Sequence, residues 1–197
     1  MTDKLVIALA QLNPTVGKIG ANLEKLREMR KKAAEEGADL ILTSELYTCG
    51  YPPEDLVRKP QFISSLRSAV ESFASETSDG GPAVLLGTPW VESDRLHNSL
   101  VLIEEGAITT ARHKYDLPNY GVFDEKRVFD PGAMPGPISF KDVRIGVPIC
   151  EDIWTPEVVE CITETGGEII LVPNGSPFEA GKTCLLYTSP SPRDPRE

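Results

Sequence analysis

Short strand-like runs recur along this chain between amphipathic helical stretches, and three of them, two of these apolar, lead to residues that could share one reaction centre. Leu40 to Thr43 leads to Glu45, Ile108 to His113 leads to Lys114, and Val143 to Ile149 leads to Cys150. A short apolar run bounded by turn residues is the pattern of a buried strand. Three such strands would bring a carboxylate, an ammonium and a thiol to strand ends. Together these supply a base, a cation and a nucleophile, the set needed to attack an amide carbon.

The remaining patterning fits the same architecture. Lys4 to Gln11, Ala83 to Thr88 and Ile169 to Val172 read as further strands. Leu96 to Glu104 and Ile108 to His113 read as a hairpin across Glu105-Gly106. Gly20 to Glu36 has Leu23, Leu26 and Met29 at helical spacing, Asn22 as a candidate cap and Gly37 as a stop. Phe62, Leu66, Ala69 and Phe73 mark a second helix, and Thr155-Pro156 opens a third with Val158, Val159 and Ile162 on one face. Strands alternating with helices predict a mixed α/β fold. Lys114 to Pro137 has little periodicity, and loops of that length inside a compact domain are usually functional.

Composition removes several classes of function. The net charge is −10 with no long basic stretch, which argues against nucleic acid and anionic membrane as partners. No apolar run is long enough to span a bilayer. Met-Thr-Asp-Lys leads directly into a strand-like run, so no signal peptide is expected. Cys49, Cys150, Cys161 and Cys184 form no C-x-x-C pair, and the histidines are His97 and His113 alone. No metal site is therefore expected, and reduced thiols suit a cytoplasmic location.

Each candidate has an ordinary alternative. A buried cysteine at a strand end is usually inert packing, and lone lysines and glutamates are usually solvated. Cys150, however, precedes Glu151 and Asp152 and a helix start, which places it on a strand-to-helix turn. There a backbone N–H, that of Glu151, can face an oxyanion. A nearby cation such as Lys114 would raise the thiolate fraction of Cys150. A rival motif fails on spacing. Gly175 to Thr183 reads G-S-P-F-E-A-G-K-T, like a phosphate-binding loop, but five residues (176 to 180) separate its glycines, one more than that motif allows. Pro177 also lacks an N–H that would cradle phosphate.

The three segments resemble the Glu–Lys–Cys triad of the nitrilase, or carbon–nitrogen hydrolase, superfamily. The strings D-L-P-N-Y-G-V-F-D-E-K-R-V-F, C-E-D-I-W-T-P and N-G-S-P-F-E-A-G-K further resemble the N-terminal glutamine-amidase domain of glutamine-dependent NAD synthetases. The likeness runs from about residue 4 to 182. It implies an α-β-β-α sandwich, here incomplete at its C-terminus. It implies Cys150 as nucleophile, Glu45 as general base, Lys114 and the Glu151 N–H as oxyanion donors, and Glu125 as a supporting carboxylate. Tyr120, Ser176 and Lys182 would bind the substrate, L-glutamine.

The resemblance also implies partners and limits. The amidase step needs no cofactor; ATP and magnesium belong to an NAD synthetase domain whose S-G-G-x-D-S loop this sequence lacks. A full-length enzyme would be a homo-oligomer. Residues 1–182 are expected to be a partial hydrolase domain. The Pro-, Ser- and Arg-rich string 183–197 looks like a non-native or disordered tail, resembling translated adapter read-through. On that view the chain would be marginally stable and poorly active. A stand-alone aliphatic amidase or carbamoyl hydrolase is the alternative enzyme, against which the loop Asp116 to Phe129 speaks. An inactive truncated fragment is the non-enzyme alternative.

Overall fold

The computed structural model describes residues 4–176; the expectations placed on Lys182 and on the tail from Thr183 lie outside the described residues. Five strands form the first sheet: β1 (Ile7–Leu9), β2 (Leu40–Leu42), β3 (Ala83–Glu92), β4 (Arg95–Glu104) and β5 (Ala107–His113). They lie in chain order, with β1, β2 and β3 parallel and β3, β4 and β5 antiparallel. Helix α1 (Ile19–Glu35) makes the crossover from β1 to β2, and α2 (Pro60–Glu76) that from β2 to β3. A second sheet holds β6 (Ile138–Phe140), β7 (Val143–Gly146) and β8 (Ile169–Ile170), with α3 (Pro156–Glu164) between the last two.

Strand periodicity explains the layering. Ile41, Val84, Leu86, Val101 and Ile103 point to one face of the first sheet, where Leu23 and Leu26 of α1 and Leu66 and Phe73 of α2 cover them. Their sequence neighbours Leu40, Leu42, Leu85, Leu100 and Leu102 point to the other face and meet Ile138, Phe140 and Ile145 of the second sheet. Buried on both faces, these strands read as continuous apolar runs. Each such side chain contributes roughly 1.5–3 kcal/mol by leaving water. On the far side of the second sheet α3 buries Val158 and Ile162. A Cβ on Gly146 would stand 2.4 Å from Ile162 Cγ2, so the glycine lets the helix seat on β7. The order helix, sheet, sheet, helix is the α-β-β-α sandwich expected from the resemblance.

Several details differ from the sequence reading. Asn22 does not cap α1. It lies inside the helix, fully buried, and its amide accepts from Thr15 N–H and donates to the carbonyls of Thr15 and Thr48. Tyr47 Oη donates to the Asn22 carbonyl, so α1 holds the segment that follows Glu45. Strands β1, β7 and β8 are shorter than their apolar runs, because only the paired portion forms a ladder. Strand β3 is longer than expected and joins β4 through a turn at Ser93-Asp94, both left-handed. The short β6 was not anticipated. Lys114 to Pro137 contains no strand or α-helix, only a turn of 3₁₀-helix at Glu125–Arg127. Among the described residues no helix is long and apolar enough to cross a membrane.

Candidate active site

Glu45 sits in a tight turn just beyond β2, and the turn is shaped by close packing. Leu46 adopts a left-handed φ of 48°, and its carbonyl accepts from the N–H groups of Cys49 and Gly50. A Cβ on Gly87 would lie 2.2 Å from the Ser44 carbonyl, so only glycine lets β3 run against this turn. Gly87 N–H donates to Thr43 Oγ1 and its carbonyl accepts from Thr48 N–H. The carboxylate is thereby aimed inward, 1% exposed.

Lys114 follows β5 directly. Its backbone N–H donates to the Asn98 carbonyl at 2.8 Å, extending the β4–β5 ladder by one bond. Its ammonium is fully buried and lies 2.7 Å from Glu45 Oε1 and 2.9 and 3.0 Å from the two oxygens of Glu125. Burial works against that charge, but the charges of Glu45 and Glu125 outweigh it and hold the ammonium protonated above the usual lysine range. Burial, and then the charge of Glu45, raise the carboxyl of Glu125, with Lys114 opposing. Tyr51 Oη also donates to Glu125 Oε1 at 2.9 Å.

Cys150 opens a 3₁₀ turn, Cys150–Trp154, between the end of the β7 run and α3. It too is left-handed, φ 48°, a conformation costing a non-glycine residue about 1–3 kcal/mol. Its N–H donates to the Pro173 carbonyl at 3.0 Å, so the chain after β8 braces the strained residue. Its Sγ lies 3.4 Å from Ser176 Oγ. Gly175 N–H donates to Glu45 Oε2 at 3.0 Å and also faces the thiol.

Lys114 acts on the thiol in the expected direction, towards the thiolate, but it is outweighed. Burial and the charge of Glu45 push the thiol up to about 11, and Lys114 and Ser176 offset this only in part. A thiol so shifted favours its protonated form, and acting as a nucleophile it would call on a base. Cys49 is buried in the helix-side core and its thiol is pushed up further by burial.

Of the remaining candidates, Ser176 stands at the thiol and Glu125 on the ammonium, as described. Tyr120 is exposed, and its Oη donates to the Glu151 carboxylate at 2.9 and 3.0 Å, beside the Cys150 turn. Asn98, Tyr51 and Gly175 were not anticipated. Asn98 donates from Nδ2 to Glu45 Oε1 at 2.8 Å and to Glu125 Oε2 at 3.3 Å, and its buried Oδ1 has no partner among the described residues. The available signal was a polar residue inside the apolar run Leu96 to Glu104.

Asn98→Asp would set a third carboxylate against Glu45 and Glu125. It is expected to cost about 3–5 kcal/mol of stability at neutral pH, as an uncompensated buried charge does. The loss should shrink as acid protonates Glu125, whose carboxyl is already raised in the fold above its usual range. Denaturant unfolding at neutral and mildly acidic pH measures both.

The carbon–nitrogen hydrolase family model matches residues 6–186. The chain is 40% identical to the glutamine-dependent NAD(+) synthetase of Rhodobacter capsulatus, covering 94% of this chain and 33% of that protein. It is 38% identical to that of Thermotoga maritima, covering 92% and 32%. The chain thus spans about a third of the length of these relatives. The solved glutamine-dependent NAD+ synthetase of Acinetobacter baumannii superposes with a TM-score of 0.85 at 35% identity, over 91% of this chain and 34% of that one. A mutant amidase from Nesterenkonia sp. AN1, with acrylamide added at its active site cysteine, superposes with a TM-score of 0.74 at 27% identity, over 87% and 67%. The chain belongs to the carbon–nitrogen hydrolase family.

Proposed function

We propose that this chain is the glutaminase part of a glutamine-dependent NAD synthetase, hydrolysing the side-chain amide of L-glutamine so that its ammonia can amidate deamido-NAD. The observation that carries the reading is the buried Glu45–Lys114–Glu125 cluster beside the left-handed Cys150 turn. Relatives named for glutamine-dependent NAD synthesis, at up to 40% identity, favour glutamine over the substrates of a stand-alone amidase.

In the proposed reaction Glu45 takes the thiol proton as Cys150 Sγ bonds to the amide carbon. The oxyanion that forms is held by the Lys114 ammonium and the Glu151 N–H. When the intermediate collapses the C–N bond breaks, Glu45 returns the proton to nitrogen and ammonia leaves. The γ-glutamyl thioester remains. Glu45 then takes a proton from water, the hydroxide adds to the thioester carbon and the C–S bond breaks. The thiol regains its proton and glutamate departs. This route uses no metal or cofactor. ATP and magnesium would serve the synthetase domain, with which the ammonia-producing part would act in a cytoplasmic homo-oligomer. Glu125 keeps Lys114 charged and in place.

Tyr120, Ser176 and Lys182 are assigned to holding glutamine. Ser176→Ala or Tyr120→Phe is expected to raise KM by about 2- to 10-fold, the scale of one lost hydrogen bond. Reactivity of Cys150 toward a small thiol reagent should change less. Ammonia release from glutamine and from a panel of aliphatic amides tests the substrate. Equal rates on acetamide or propionamide would favour the stand-alone amidase.

A further inference from the structure

Asp152 lies two residues past the candidate nucleophile, and its carboxylate is buried, 1% exposed. One oxygen, Oδ2, accepts the Ile149 N–H at 3.0 Å, immediately before Cys150. The other, Oδ1, accepts the N–H groups of Tyr115 and Asp116 at 3.0 and 2.7 Å, immediately after Lys114. The second residue of a parallel link is Thr155, whose Oγ1 donates to Asp116 Oδ2 at 2.7 Å. Local capping of the 3₁₀ turn would need only the Ile149 bond. The crossing bonds join segments 36 and 37 residues apart.

We propose that Asp152, braced by Thr155, is a positioning residue that straps the turn carrying Cys150 to the strand end carrying Lys114. The inference rests on the glutaminase reading for its effect on turnover, but not for its effect on the thiol. Nucleophile and oxyanion donor come from different sheets, Lys114 from the end of β5 and Cys150 from beyond β7. Without a fixed link, each sheet could be intact while the two groups drift apart. Misplacement by about 1 Å can cost on the order of 100-fold in rate. Three N–H donors demand an acceptor at both ends of the side chain, which an ionised carboxylate supplies and an amide does not. Burial pushes Asp152 up to about 6, while these N–H groups and the Lys114 charge favour its ionised form.

The test compares the 197-residue chain with Asp152→Asn and Thr155→Val. Steady-state glutamine hydrolysis, melting, and the rate of Cys150 alkylation by iodoacetamide read from its peptide mass are measured on each. Asp152→Asn should lower kcat by roughly 10- to 100-fold with KM nearly unchanged. It should also slow Cys150 alkylation near neutral pH, because a displaced Lys114 lowers the thiol's pKa less. Thr155→Val should move both in the same direction, by less. A residue that serves only the fold would lower the melting temperature yet leave alkylation of the folded protein and kcat at wild-type values, and that result overturns the inference. So does a rise in KM at constant kcat. If Asp152→Asn does not fold, Thr155→Val decides alone, and wild-type behaviour of that variant overturns the inference. A wild-type chain that melts cooperatively yet releases no ammonia counts against the glutaminase reading, while the alkylation rates still decide the role of Asp152.

Discussion

Cys150→Ala is expected to abolish amide hydrolysis while leaving the fold intact. The thiol is the proposed attacking atom, and no other described cysteine has its surroundings. Cys49 is enclosed in the helix-side core, and Cys161 lies on α3. Cys161→Ala should therefore match wild type in rate. Cys49→Ala should cost stability, by leaving unfilled space in a packed core, but not chemistry. Ammonia release at saturating glutamine and thermal melting, measured on the three variants together, check this. Activity surviving in Cys150→Ala, or lost in Cys161→Ala, would put the nucleophile elsewhere.

Lys114→Met should lower turnover by roughly 10²–10³-fold or more, the scale of removing an oxyanion donor. Glutamine binding should survive better, because the charge is needed mainly when the oxyanion forms. The structure adds a second consequence. The ammonium lies between two buried carboxylates, so its removal leaves their charges uncompensated. Stability should fall by about 3–5 kcal/mol on that account. The double variant Lys114→Met, Glu125→Gln removes one of those charges. It should regain much of the melting temperature and none of the turnover. Recovery of both would make Lys114 a structural ion-pair partner instead of an oxyanion donor.

The strands were legible because β2 and the inner parts of β3 (83–86) and β4 (100–103) are buried on both faces, so leucine, isoleucine and valine run on there. The ends of β1, β7 and β8 were not, because pairing depends on where a neighbouring strand stops. Glu45 and Cys150 stood out because each follows an apolar run, and Lys114 because it closes a strand-like one. Asn98 did not, since its role arises from the register that brings β4 beside the end of β5 and beneath Glu45. The donors to Asp152 lie in a segment distant in sequence. Asn22 was misread for a related reason: its short polar side chain suits a cap, but the Thr15 and Thr48 backbones drew it into the interior. The balance of influences on the thiol was not legible either. A sequence displays the sign of nearby charges but not the depth of burial, and burial is the largest influence on Cys150.

The central claim is that amide cleavage passes through a thioester on Cys150. Mixing the chain with glutamine, quenching in acid within the first turnover and weighing the Cys150 peptide tests it most directly. A γ-glutamyl adduct on Cys150, formed in step with the first ammonia and missing from Cys150→Ala, is the predicted result. Ammonia released while Cys150 stays unmodified, or an adduct on another residue, would contradict it.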